Sequence, residues 1–341
     1  MARVRSVQNG GLLFTDNPAG VSGVDCGYSL IMGQQVAWFF GDVFLLHPSD
    51  PAKHYVGAIS NAALLVPRGQ APALRRYRFV TDPTSGLARQ VLPNRPDEGT
   101  DIRLWPLAGW YAPSDKCAYL YYAKVQTTGA GPLDFRVLGH GLARSDMRRP
   151  LAMHFDRVAG SDSGLWWEPP AALYGVALIE PEHPKDPFLY VVGVLEVSGA
   201  KRATLARVLR LHIADMDSYE YLAGPSQRPR WSRRAEDAVP VTGIENFPTE
   251  LSVAYNRYLG GYLAVHSVGL SERIRLSVAP EPWGPYQRLD EIGAPHRAFE
   301  KAFCYAGKEH PELTEEGGRV IYITYVDSQR YWLQLLRVTL L

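Results

Sequence analysis

The sequence predicts an all-β fold, a five-bladed β-propeller occupying 1–341 as one domain, and three observations lead there. Short apolar and aromatic runs bounded by Gly, Pro or Asp recur from end to end. A helical 3.6-residue period is sustained almost nowhere. The same internal order of strands returns five times. A two-sheet sandwich is the competing all-β architecture, but sandwiches rarely repeat one internal order in this way.

The first group reads GYSLIM (27–32), a GQQ turn, VAWFFGDVF (36–44), NAALLV and YRFVT. The second is IRLWPLAGWY (102–111), CAYLYYAKV (117–125) and FRVLGHGLARS, and the third YGVALIE (174–180), FLYVVGVLEV (188–197) and TLARVLRLH. The fourth is TELSVAYN (249–256), GYLAVHSVG (261–269), RIRLSVAP and WGPY. The fifth is AGKEHPEL (306–313), VIYITYVD (320–327) and YWLQLLRVTLL. Groups begin roughly 60 to 80 residues apart, longer than the usual propeller repeat, with the excess in loops. Because the fifth group runs out at Leu341, the N-terminal segment GLLFT (11–15) is expected to add a strand to the C-terminal blade and fasten the ring.

The loops 81–100 and 145–170 are rich in Pro, Asp and Ser, and QRPRWSRR (227–234) is a short basic stretch read as an exposed loop rather than a phosphate grip. A net charge of +1 argues against a broad basic surface for nucleic acid. No apolar window approaches a membrane-spanning length, and MARVRSVQNGG lacks the apolar run of an export signal. Cys26, Cys117 and Cys304 form no CxxC pair, so they read as free thiols. The chain is expected to be a soluble monomer, since radial closure protects most strand edges.

The chemistry points to the first hairpin. Counting outward from its GQQ turn, Asp25 falls opposite Asp42 or its neighbour. Opposed residues share a face with Cβ atoms about 4.5–5.5 Å apart, and two carboxyls so placed separate in proton affinity. That separation suits acid and base roles in glycoside cleavage. Both aspartates also fit as turn caps. Glu180, Glu250 and Glu309 stand at what read as corresponding points of later groups, and His310 can orient a carboxylate or pack as a buried histidine. His140 and His154 are weaker candidates. Trp166 and Trp167, in a Pro-flanked loop, are candidates to stack on a sugar ring, while Trp105, Trp110, Trp231 and Trp283 include packing anchors. No phosphate loop, HExxH, dinucleotide fingerprint or GxSxG elbow occurs. No cofactor or catalytic metal is expected, with a structural calcium ion left open.

Taken in order, GVDCGYS, VAWFFGDVF, LGHGLARS, YGVALIE, LSVAYNRYLGGYLAVHS, APEPWGPY, YAGKEHPEL and YVDSQRYWLQLLRVTL resemble the family catalogued as uncharacterised domain 4185, from about Gly10 to Leu341. The resemblance implies a five-bladed propeller. Some members form glycoside hydrolase family 183, which cuts internal linkages of D-arabinan, the furanose polymer of mycobacterial arabinogalactan and lipoarabinomannan. It further implies a pair of essential aspartates, matched by Asp25 in GVDCGYS and Asp42 in FFGDVF. By analogy with other propeller glycosidases, a carboxylate from a later blade would come from Glu180 or Glu250, then Glu309 with His310. Cys26 departs from the pattern, which has Gly there. The resemblance suggests a secreted protein, which the missing export signal does not support, so localisation stays open. The expected function is endo-acting hydrolysis of a polysaccharide. The competing readings are a carbohydrate-binding propeller without hydrolytic activity and a protein-interaction scaffold.

Overall fold

The computed structural model describes residues 3–341 apart from 16, 48–53, 70–73, 75, 130, 132, 160–162 and 294–301. The protein is an all-β, five-bladed β-propeller, each blade an antiparallel sheet of four or five strands. Its helices among the described residues are single 3-10 turns, and none is long and apolar enough to cross a membrane. The first strand, β1, is Val4–Leu12. Two compact units follow, an N-terminal one of Leu12–Trp166 with Tyr331–Leu333, and a C-terminal one of Met1–Gly11, Trp167–Arg330 and Gln334–Leu341.

In the N-terminal unit, β2 (Val21–Met32), β3 (Gln35–Leu46), β4 (Tyr55–Pro67) and β5 (Arg78–Phe79) form one sheet in chain order. The second sheet is β6 (Ile102–Ala112), β7 (Cys117–Thr127), β8 (Phe135–Asp146) and β9 (Asp156–Arg157). Strand β3 lies between β2 and β4 and is covered on both faces, so it reads as a continuous apolar run instead of alternating. Trp38, Phe39 and Phe40 are fully buried in consequence. A shared core that includes Phe39, Leu120, Tyr122 and Phe155 joins the two sheets.

The Pro- and Asp-rich stretch 81–100 is pinned by one buried side chain. Asn61 on β4 accepts from the backbone N–H of Val91 and Leu92 and donates to the carbonyls of Leu92 and Leu104. All its capacity is used on backbone groups that would otherwise be buried without partners.

In the C-terminal unit, β10 (Leu173–Ile179), β11 (Phe188–Val197), β12 (Ala200–Leu209), β13 (Glu220–Leu222) and β14 (Trp231–Ser232) make the third sheet. The fourth holds β15 (Leu251–Asn256), β16 (Gly261–Ser267), β17 (Arg273–Ala279) and β18 (Gln287–Gly293), so WGPY precedes its last strand. The fifth has the order β1, β21 (Leu333–Leu340), β20 (Val320–Asp327), β19 (Cys304–Glu309). The N-terminal strand thus lies beside the C-terminal one, but the pairing segment is Val4–Leu12 and only Gly11 and Leu12 of GLLFT belong to it. The basic stretch QRPRWSRR supplies β14, where the Arg207 guanidinium lies 4.4 Å from the Trp231 ring centre. That cation–π contact gives the indole a packing role.

Candidate active site

The first hairpin turns at Gly33 and Gln34, with Met32 paired to Gln35. Gly33 takes φ +65°, the left-handed conformation that a two-residue hairpin turn demands. From there the register runs evenly to Tyr28 opposite Phe39. An unbroken ladder would then set Asp25 against Asp42. Instead Asp25 pairs with Gly41, and Val24 with Val43, because the ladder shifts on both sides of Asp25. Cys26 and Gly27 of β2 stand against Phe40 alone, one residue in excess, and Asp42 is the extra residue on β3. Bulges of this kind bend a strand and re-aim side chains.

Cys26 sits in the first bulge at φ +48°, left-handed backbone that Gly adopts at lower cost than Cys. Its thiol does work that Gly would not, since Sγ donates to Asp25 Oδ1 at 3.2 Å. A second donor reaches Asp25 from the far end of the chain. Tyr331, held in the left-handed region at φ +54°, accepts from the Val24 N–H through its carbonyl at 2.8 Å, and its phenol hydrogen-bonds Asp25. Burial, and then the charges of Asp25 and Asp42, drive the Tyr331 phenol far above its ordinary pKa, so it stays protonated and donates.

Asp42 is half-buried, and its carboxyl is pushed up to about 7 by desolvation first and by the charge of Asp25 second. The Trp105 indole and the Arg103 guanidinium offset part of the rise. The Trp105 N–H faces Asp42, yet it is buried and makes no hydrogen bond of normal geometry among the described residues. Like carboxyls in a desolvated place cannot both ionise freely, so the proton stays on the one with poorer stabilisation. Here the donors converge on Asp25 and the proton affinity rises on Asp42. The sequence pairing of these two residues is therefore reproduced as a coupled pair, through bulges instead of direct opposition.

The other candidates lie elsewhere in the fold. Glu309 ends β19 and His310 follows it, both almost completely buried. Burial and then Glu312 push the Glu309 carboxyl up to about 8. Burial and then Lys308 hold His310 well below the ordinary histidine range, leaving a neutral ring whose Nε2 shares a 2.7 Å hydrogen bond with Thr324 Oγ1. The Nδ1 of His310 lies 3.8 Å from the Glu312 carboxylate. Glu180 is exposed just past the end of β10, whereas Glu250 is half-buried just before the start of β15. The two therefore occupy opposite ends of the first strands of their sheets, not corresponding points.

Trp166 and Trp167 do not form an exposed stacking surface, for they are 5% and 2% exposed. Trp167 packs against Tyr174 and Tyr219 with ring centres 5.2 and 5.5 Å away, and its Nε1 donates to the Tyr221 hydroxyl at 3.0 Å. An indole whose N–H has a partner can be buried without penalty, and Tyr221 supplies that partner. His140 is buried on β8, and His154 is exposed 3.5 Å from Asp156.

Residues that the sequence did not single out complete the surroundings of Asp42. Tyr331 lies in YVDSQRYW, and nothing local marks it as a neighbour of Asp25. Phe44 and Tyr55, hidden among ordinary strand aromatics, are 36% and 63% exposed. A hollow of about 390 Å³ at the other end of β3 is lined by Gln35, Leu65, Arg149, Pro150, Leu151 and Ala152, with no carboxylate among them. Among the described residues, no group of three or more His, Cys, Asp or Glu side chains is placed to hold a metal ion.

Similar folds accompany diverse carbohydrate chemistry. The α-L-arabinofuranosidase PaAbf62A from Podospora anserina, solved in complex with cellotriose, shares 10% identity with a TM-score of 0.50, covering 99% of this chain and 97% of its own. A GH43_1 enzyme from Xanthomonas citri shares 13% identity with a TM-score of 0.52, covering 98% and 91%. An N-acetylgalactosamine deacetylase from F. plautii shares 9% identity with a TM-score of 0.51, covering 99% and 94%. These likenesses are ones of fold. No curated protein matches the sequence. The family model described as "Domain of unknown function (DUF4185)" matches residues 13–337, and the chain belongs to that family.

Proposed function

From membership of that family and the carboxyl pair of the first hairpin, we propose that the protein is an endo-acting glycoside hydrolase cleaving α-D-arabinofuranosyl linkages of D-arabinan. The observation that carries the proposal is the division of labour between two coupled acids. Asp42 has a pKa of about 7 and holds its proton near neutrality, while Asp25 receives the Cys26 thiol and the Tyr331 phenol. Donors on a carboxylate favour its ionised form.

In this reading Asp42 protonates the departing glycosidic oxygen, and Asp25 attacks the anomeric carbon. The C–O bond to the leaving chain breaks as the ester to Asp25 forms. Asp42, now ionised, takes a proton from water, whose oxygen displaces Asp25 and restores both carboxyls. The electrostatic coupling of the pair favours the close spacing of a retaining enzyme, about 5–5.5 Å, over the roughly 6.5–9.5 Å of an inverting one. The fold neighbours support a carbohydrate substrate without choosing the reaction, since a deacetylase stands among the arabinofuranosidase and GH43 folds.

The test is incubation with purified D-arabinan, L-arabinan and galactan, followed by product sizing and NMR of the first anomer released, beside D25N and D42N. Fragments from D-arabinan alone, with α configuration retained and both variants inactive, are expected. Release from none of the three polymers, or full activity in both variants, overturns the reading. Binding without release identifies the protein as a carbohydrate-binding propeller instead.

A further inference from the structure

We infer that Tyr55 and Phe44 form a saccharide-stacking subsite that continues from the carboxyl pair and holds a furanose residue of the polymer away from the bond being cut. The inference rests on the hydrolase reading for the identity of the polymer, but on separate residues for the site.

The geometry starts from β3. Val43 and Leu45 are buried, whereas Asp42, Phe44 and Leu46 are half-buried or exposed, so these three share the opposite face. Tyr55 pairs across the ladder with Leu46, and its ring centre lies 6.3 Å from that of Phe44 at 66°. On its other side, Phe44 lies 4.8 Å from the Tyr331 ring at 32°. Gly23 permits this approach. It stands opposite Phe44, and a Cβ there would come within 3.1 Å of Phe44 Cδ2 and 3.3 Å of Tyr331 Cδ1. Three rings therefore step inward from Tyr55 through Phe44 to Tyr331, whose phenol touches Asp25.

Exposure argues for a ligand. Among the described residues the exposed large aromatics are Phe44, Tyr55 and Tyr258, and two of the three touch each other beside Asp42. Contiguous exposed apolar surface is uncommon unless something covers it. An edge-to-face pair with a hydroxyl at its outer end suits the C–H face of a sugar, which is apolar in the ring and polar at the rim. Continuity with the acids favours a glycan over a protein partner, because Phe44 shares the face of Asp42 and meets the ring of Tyr331, whose phenol bonds Asp25.

The experiment uses affinity electrophoresis in gels containing D-arabinan, with the variants placed in the D42N background so that binding is read without cleavage. Kinetics of the active forms on long polymer accompany it. Y55A and F44A are each expected to weaken retardation and raise KM about 3- to 10-fold with kcat changed less than about twofold, while Y55F, which keeps the ring and loses only the hydroxyl, weakens retardation less than Y55A. F44L, which keeps an apolar side chain against Tyr331 but not the ring, separates lost stacking from a shifted Tyr331. If Y55A is retarded and cleaves as the parent does, the subsite is wrong and the hydrolase reading stands. If D42N is retarded and Y55A abolishes that while no form cleaves, the subsite stands and the hydrolase reading falls. Failure of the parent chain to bind D-arabinan overturns both. A Y55A-dependent change in oligomeric state, read by size-exclusion chromatography, overturns the subsite in favour of an interface between copies.

Discussion

Asp42 and Glu309 are both carboxyls raised by desolvation, to about 7 and about 8, and each has a second acid as the next cause, Asp25 for one and Glu312 for the other. By proton affinity alone they would be equal candidates for a general acid. Their surroundings separate them. Asp42 is half-buried on a strand face that continues into exposed aromatic rings, and its partner Asp25 receives two donors. Glu309 is 4% exposed, flanked by a neutral histidine, and its Oε2 makes no hydrogen bond among the described residues. A perturbed acid becomes a functional acid when a substrate can reach it and a second group is held in the complementary charge state.

The largest effect that breaks or upholds this comparison is loss of the acids themselves. D25N and D42N should each lower kcat on D-arabinan by roughly 10²- to 10⁴-fold, the range of a general acid or base, while E309Q stays within about threefold of the parent. An E309Q defect as large as that of D42N would reverse the comparison. The pH profile should follow the same logic. With Asp42 as the proposed general acid, kcat should decline as pH rises through about 7. Y331F removes a donor to Asp25, which raises the proton affinity of that carboxylate. The acidic limb of its profile should therefore move upward, with kcat down roughly tenfold. An unmoved limb would restrict Tyr331 to packing.

Stability gives a smaller and separate readout. The Glu309 pKa in the folded protein lies above its ordinary value, so the stability it contributes is complete below about pH 4.5 and is lost as pH rises through about 8. The parent Tm should accordingly fall over that interval more than the Tm of E309Q, by about 2–4 °C. Equal Tm curves would mean that Glu309 is solvated more fully than its burial implies. The smallest effect on activity is expected from W167F. Losing the bond to Tyr221 should lower Tm by about 2 °C and leave polymer binding unchanged. Weakened binding would return the tryptophan pair to the list of sugar contacts.

Much of the fold is legible from local pattern. The run VAWFFGDVF and its analogues fall within observed strands, because period-two alternation, β-branched and aromatic content and turn residues are properties of neighbouring positions. The hairpin count also brought Asp25 to within one residue of its partner. The ladder shifts around Asp25 were not legible, since a bulge leaves the residue types of a strand intact and alters only their pairing. Trp166 and Trp167 were misread for a related reason: the polar, Pro-flanked segment suggested exposure, but Tyr221, more than fifty residues on, provides the hydrogen bond that allows burial.

By itself, then, the sequence determined the strands, their grouping into five sheets and the hairpin that carries both aspartates, all of which follow from interactions between residues close in the chain. Tertiary structure decided that the proton affinity of Asp42 rises and which aromatic rings face outward. Those outcomes depend on dielectric surroundings and on donors such as Tyr331 that arrive from distant segments, and no local pattern records them.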